Sequence, residues 1–191
     1  MAALEPPVCD FGKPAPDFSL SGVDGRIWTL ADCMGEKGLL VMFICQHCPY
    51  VKAIHDRILR DTRELQAFGI ASVAVMSNDT VAYPEDSYAN MQQAAQQHNY
   101  PFPYLLDETQ DVAKAYGAVC TPDFFGYNAD FKLQYRGRLD ASHRETAPAD
   151  TIRELFEAMK TVAQTGHGPE QQIASIGCSI KWKTNLFNSS L

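Results

Sequence analysis

Most of the chain mixes polar and apolar residues. One stretch does not: after Gly38, residues 39–44 are apolar without a break (Leu-Leu-Val-Met-Phe-Ile). A short continuous apolar run predicts a strand buried on both faces. Beyond it, Val51, Ile54, Ile58 and Leu65 recur at spacings of three, four and seven, which predicts an amphipathic helix. Phe68-Gly69 suits its C-terminus, because glycine tolerates the left-handed cap. Between strand and helix stand Cys45-Gln46-His47-Cys48-Pro49. A second apolar, β-branched run over 70–76 predicts a second inner strand.

The flanking segments are weaker but readable. Residues 18–20 and 26–30 flank Val23-Asp24-Gly25, and Asp-Gly is a hairpin signal. Residues 31–37 read as a loop or short turn, 78–86 as a polar loop and 85–97 as a helix. Residues 104–106 read as a short strand, followed by a helix capped by Asp107 or Thr109 and closed by Gly117. Residues 123–127 and 131–138 read as a hairpin around Asn128-Ala129-Asp130. A last helix, capped by Asp150, has Ile152, Leu155, Phe156, Met159 and Val162 on one face. The order β–α–β–α–β–α–β–β–α predicts an α/β sandwich whose first two long strands pair in parallel through a crossover helix. One domain is expected over 1–191, with a proline-rich surface arm at 1–16 and a C-terminal tail at 170–191.

Composition narrows the function. The chain has 191 residues, 46% hydrophobic and 20% charged, with a net charge of −7. That suffices for one sizeable core. The acidic balance argues against nucleic acid or an anionic membrane as partner. No apolar stretch reaches the length of a membrane span. Residues 1–10 carry Glu5 and Asp10, no positive charge and no apolar run, unlike a signal peptide, so the expected location is cytoplasmic. Disulfides there are rarely structural, which favours a redox-active or metal-binding Cys-x-x-Cys over a static one.

The position of the two cysteines gives the chemistry. A helix N-terminus offers free N–H groups and the positive end of the dipole, and both favour a thiolate. Cys45 and Cys48, three apart, predict a reversible dithiol/disulfide. Cys45 is expected at or just before the first helical residue, as the more exposed and more acidic sulfur, with Cys48 one turn in and shielded. His47 is expected to stabilise the Cys45 thiolate. For a zinc or copper site, His47, His55 or Cys120 would have to join the pair, and no second ligand spacing completes such a set. Cys9 and Cys33 read as bystanders.

Cys45-x-x-Cys48 at a strand–helix junction, with Thr121-Pro122 before a terminal hairpin and helix, resembles the thioredoxin fold. The N-terminal hairpin and the helix inserted at 85–97 resemble its peroxiredoxin and thiol-reductase branch. Phe43-x-Cys45-x-His47-Cys48-Pro49-Tyr50-Val51, Cys120-Thr121-Pro122-Asp123 and Gly177-Cys178-Ser179-Ile180-Lys181-Trp182 are similar to a peroxiredoxin-like group of redoxins, related to the AhpC/TSA proteins. The resemblance implies a central mixed sheet flanked by helices and a cis Pro122 facing the cysteines. Departures stand beside it. Ile44 replaces the tryptophan usual before the first cysteine, and Leu39 replaces thioredoxin's buried acid. Val41 and Cys45 stand where the peroxiredoxin Pro-x-x-x-Thr-x-x-Cys motif has proline and threonine. Arg136 or Arg138 would supply the guanidinium a peroxidase site needs.

The expected function is therefore thiol–disulfide oxidoreduction through Cys45 and Cys48. His47, Thr121 and Pro122 shape the site, and no organic cofactor or metal is implied. Expected partners are protein or small-molecule disulfides and an external thiol reductant such as thioredoxin or glutathione. A thiol peroxidase, and a redox sensor or metal-binding module, remain as alternatives. Cys120 should point away from the site if Thr121 faces it. Cys178 is read as sharing a buried face with Ile176, Ile180 and Trp182, with an auxiliary redox role as the alternative.

Overall fold

A computed structural model describes residues 3–4 and 11–184. Cys9 and the end of the tail, residues 185–191, lie outside the described residues. Its strands are β1 (Ala3–Leu4), β2 (Ser19–Gly22), β3 (Ile27–Thr29), β4 (Gly38–Phe43), β5 (Ile70–Met76), β6 (Tyr104–Leu106), β7 (Cys120–Thr121), β8 (Asp123–Asn128), β9 (Leu133–Arg136) and β10 (Gly177–Ser179). Its helices are α1 (Leu30–Cys33), α2 (Pro49–Leu65), α3 (Tyr88–Gln97), α4 (Asp111–Tyr116) and α5 (Glu154–Thr165).

The apolar run forms β4, near the centre of a seven-stranded sheet of order β3-β2-β6-β5-β4-β8-β9. Alternation sends its side chains to opposite faces. Leu40, Met42 and Ile44 enter a core with α2 and α5, through Ile54, Ile58, Phe156 and Met159. Leu39, Val41 and Phe43 enter a second core with Leu30, Tyr116 and Phe125. Residues 39–43 are wholly inaccessible, and each buried side chain of this size contributes about 1.5–3 kcal/mol. The fold is the thioredoxin-like mixed sheet flanked by helices.

Strand direction places the site. Strands β4, β5 and β6 are parallel, so the segments leaving β4 and β5 emerge at one edge. β8 runs antiparallel to β4 with Asp123 opposite Phe43, so Thr121-Pro122 arrives at that same edge. A small ribbon of order β1-β10-β7 adds the tail. The arm is partly stitched down: Gly12 N–H donates to the Leu133 carbonyl, and Pro14 bridges Lys132.

Some boundaries differ from expectation. Residues 30–33 form a short helix because Thr29 and Asp32 make a reciprocal capping box. Asp107 satisfies the start of α4 from a distance, accepting from the Val112 and Ala113 amides, while Gln110 is the capping residue. Asp150 caps nothing: α5 begins at Glu154, and Ile152 is 73% exposed rather than on the apolar face. Arg153 anchors that entry by pairing with Asp61 and Glu64 on α2.

Candidate active site

The chain leaves β4 with Ile44 N–H still bonded to the Val75 carbonyl, turns through Cys45, Gln46 and His47, and enters α2 at Pro49. Proline suits the first helical position, where no N–H is needed. It also pushes the residue before it out of the helical region, and Cys48 is extended at φ −69°, ψ 121°. Cys48, not Cys45, is therefore the N-cap. The helix end lies under the second cysteine, which corrects the expected arrangement.

The two sulfurs are read by one residue. Thr121 Oγ1 lies 3.3 Å from Cys45 Sγ, and the Thr121 carbonyl oxygen lies 3.1 Å from Cys48 Sγ. The Thr121–Pro122 bond is cis. Strand register brings a third sulfur to the same place. Cys178 of β10 is the direct partner of Thr121 of β7, and Ser179 that of Cys120. Directly opposed residues share a face, so Cys178 joins Thr121 on the side of the cysteines and packs in one core with Cys45 and Cys48. Cys120 takes the other face, its thiol 3.6 Å from the Pro122 carbonyl. The expected shared face of Cys178 and Ile180 does not form: β10 ends at Ser179, and Ile180 belongs to the opposite core.

The loop after β5 supplies a carboxylate that sequence reasoning missed. Asp86, wholly buried, accepts from the Gln46 amide (2.7 Å), the His47 amide (3.1 Å), His47 Nδ1 (2.5 Å) and Asn78 Nδ2 (2.8 Å). His47 stacks on Tyr83 with centroids 5.2 Å apart. Its Nδ1 is 3.8 Å from Cys45 Sγ, so the ring's short bond goes to Asp86 rather than to sulfur. The available signal was positional: a polar loop leaving the carboxyl end of an inner parallel strand lies where such sheets build sites.

Within the pair, ionisation is favoured at Cys48. Its thiol is pulled down to about 4, first by the Cys45 S–H donated to it, against burial, and then by Thr121, the Val51 N–H and Cys178. Cys45 is held well above the usual thiol range by sharing its proton with Cys48, by burial and by the Asp86 carboxylate. Access has the other order. Cys45, not Cys48, lines a polar cavity of about 350 Å³ with Lys52, His55, His98 and Tyr100. Cys45 borders the cavity while itself only 2% exposed, and Cys48 is wholly buried.

The remaining candidates fall outside. Burial pushes the thiol of Cys33 up to about 12 and that of Cys120 still higher. Arg136 pairs with buried Asp123 and donates to the Gly117 carbonyl, and Arg138 pairs with Glu154. Neither guanidinium is bonded to the sulfurs. Cys45, His47 and Asp86 place potential metal-ligand atoms within 4.8 Å of one another. Four N–H donors already engage the Asp86 oxygens, one of them His47 Nδ1, so the set closes on its own hydrogen bonds. His55 bonds Tyr100 instead.

Known proteins resemble this chain in sequence and fold. A conserved protein from Geobacillus kaustophilus is 44% identical, with a TM-score of 0.90 over 96% of this chain and 97% of that one. A protein from Sinorhizobium meliloti is 36% identical, with a TM-score of 0.89 over 94% and 98%. Thiol-disulfide oxidoreductase ResA of Geobacillus thermodenitrificans is 24% identical over 156 residues, 78% of each chain. Thiol:disulfide interchange protein DsbE of Chlorobium tepidum, at 22% identity and a TM-score of 0.59 over 82% of this chain and 99% of that one, is alike in fold. The AhpC/TSA family model matches residues 11–142. With a thioredoxin-like sheet, paired cysteines at its helix junction and this match over most of its length, the chain belongs to the AhpC/TSA family of redoxins.

Proposed function

We propose that the protein is a thiol–disulfide oxidoreductase in which Cys45 meets the partner and Cys48 holds the charge that activates it. The observation carrying this reading is the placement of the sulfurs: Cys45 lines the cavity, and Cys48, at the N-cap position of α2, is wholly buried. The Cys45 proton passes to the Cys48 thiolate, and the Cys45 thiolate attacks a partner disulfide. This forms a Cys45–partner bond and releases one partner thiolate, which takes the proton back from Cys48. Cys48 then attacks Cys45 Sγ, forming the Cys45–Cys48 disulfide and expelling the second thiolate. An external thiol reductant such as thioredoxin or glutathione restores the dithiol. The relatives named as thiol–disulfide oxidoreductases support the class of reaction.

The test is trapping. Reduced Cys48→Ser protein mixed with 5,5′-dithiobis(2-nitrobenzoate) should retain a stable adduct on Cys45, whereas wild type should release it and form the intramolecular disulfide. An adduct confined to Cys48 in wild type would overturn the assignment. The reduction potential gives the direction of flux: about −270 mV marks a reductant and about −120 mV an oxidant. One observation favours a second reading, hydroperoxide reduction. The anionic sulfur sits at a helix N-terminus, where a peroxidatic thiolate would be stabilised. Peroxide consumption coupled to a thiol reductant separates the two.

A further inference from the structure

The redox centre contains a sulfur that the cycle above does not use. Cys178 is 2% exposed and lies opposite Thr121 in the β10–β7 pairing, on the face from which Thr121 reaches Cys45 and Cys48. It shares one core with both cysteines. The approach of β10 is close: a side chain on Gly177 would run into the backbone of Thr121 and Pro122. Only glycine lets the tail strand sit this near the loop, and that proximity delivers the next residue, Cys178, to the core that holds Cys45 and Cys48.

We infer that Cys178 is the third redox thiol of the site: it exchanges with the Cys45–Cys48 disulfide to give a Cys48–Cys178 disulfide and a free Cys45 thiol. The inference rests on the oxidoreductase reading. The step is isoelectronic. The Cys178 sulfur attacks Cys48 Sγ, the Cys45–Cys48 bond breaks, a Cys48–Cys178 bond forms, and the Cys178 proton goes to the departing Cys45 sulfur. No oxidant or reductant is consumed. The reduced state restrains the step, because burial and then the neighbouring Cys48 sulfur push the Cys178 thiol up to about 11. Once Cys48 is bonded to Cys45 its charge is gone, while the nearby Lys181 still favours the Cys178 thiolate. Oxidation of the pair thus removes the Cys48 restraint on the third thiol and leaves that of burial. The consequence is a centre that parks its disulfide on the closed side, between α2 and β10, and returns the sulfur facing the cavity to the thiol form.

The experiment uses the full chain. Wild-type and Cys45→Ser proteins are oxidised anaerobically with diamide, blocked with iodoacetamide and mapped as non-reduced peptides. In Cys45→Ser, a Cys48–Cys178 cross-linked peptide is expected, with loss of both thiols. In wild type, the same cross-link is expected together with alkylated Cys45. A Cys45→Ser protein in which Cys178 stays fully alkylatable overturns the inference, and so does a wild type holding only Cys45–Cys48. A wild type that forms no disulfide among the three cysteines overturns the oxidoreductase reading as well. Should Cys45→Ser fail to fold, the wild-type map alone decides. In Cys178→Ala, the Cys45–Cys48 bond should be the only one formed and alkylation of Cys45 after oxidation should be lost.

Discussion

Replacing Asp86 with asparagine tests the electrostatics of the site most directly. The substitution keeps shape and removes one charge. Cys45 Sγ, His47 Nδ1 and an Asp86 oxygen lie within 4.8 Å of one another. Two unit charges at that separation interact by about 3 kcal/mol at an effective dielectric near 20, or roughly a hundredfold in thiolate population. Stability should suffer less than the four bonds suggest. The asparagine oxygen keeps the Gln46 and His47 amides, and the His47 ring can change tautomer to accept from the new amide. Asn78 is the exception, because its own oxygen accepts from the Lys181 amide and flipping it would break that bond. About one charge-assisted bond is lost, costing about 1.5–3 kcal/mol. The assay is iodoacetamide labelling from pH 5 to 9, read at Cys45 by peptide mass spectrometry, on protein shown folded by thermal melting. Cys45 should label faster, by roughly a hundredfold where its thiolate is scarce. A Cys45 rate within twofold of wild type, or slower, would refute the reasoning.

Thr121→Val removes the hydroxyl that favours ionisation of both cysteines. Alkylation of Cys45 should slow at neutral pH with a stability change of about 1 kcal/mol, and an unchanged Cys45 rate would count against the bridge. The reduced protein should gain stability with pH. Cys48 titrates at about 4 when folded against 9.0 when unperturbed, so in that window the unfolded chain binds a proton that the native one does not, and stability rises with pH. The difference in urea midpoint between reduced wild type and Cys48→Ser should shrink as pH falls from 8 toward 4. A pH-independent difference would contradict the charge assigned to Cys48. Arg136→Leu leaves Asp123 buried without its partner and should destabilise by about 3–5 kcal/mol in chemical denaturation. A loss under 1 kcal/mol would mean Asp123 takes up a proton at little cost, as its position near 6, raised by burial, allows.

Local pattern carried the architecture well. β5 and β6 coincide with the runs read from sequence, because inner strands announce themselves by apolar length alone. α2 follows the same logic in its 3.6-residue period. The site was legible where chemistry is contiguous, as in Cys45-Gln46-His47-Cys48, and illegible where it depends on register. Asp86 sits 38 residues beyond Cys48, and only the parallel pairing of β4 with β5 brings its loop over the cysteines. The location of the charge also escaped. Pro49 marks the helix start, but its effect on Cys48 appears only when the dihedrals put that sulfur, and not Cys45, at the cap. For Cys178, alternation along a strand was the wrong rule, because β10 is three residues long and the chain changes face directly after it.

Thr121 touches the two cysteines through different atoms, the hydroxyl for Cys45 and the carbonyl for Cys48, and this makes it a two-channel spectroscopic probe. A protein labelled with ¹³C at threonine and read by NMR would carry the history of each sulfur on one residue. The carbonyl resonance would follow loss of charge at Cys48, and the β-carbon resonance would follow what is bonded to Cys45. Arrival of a partner at Cys45 and closure of a disulfide at Cys48 would then appear as separate shifts, ordering the steps of turnover without any change to the cysteines themselves.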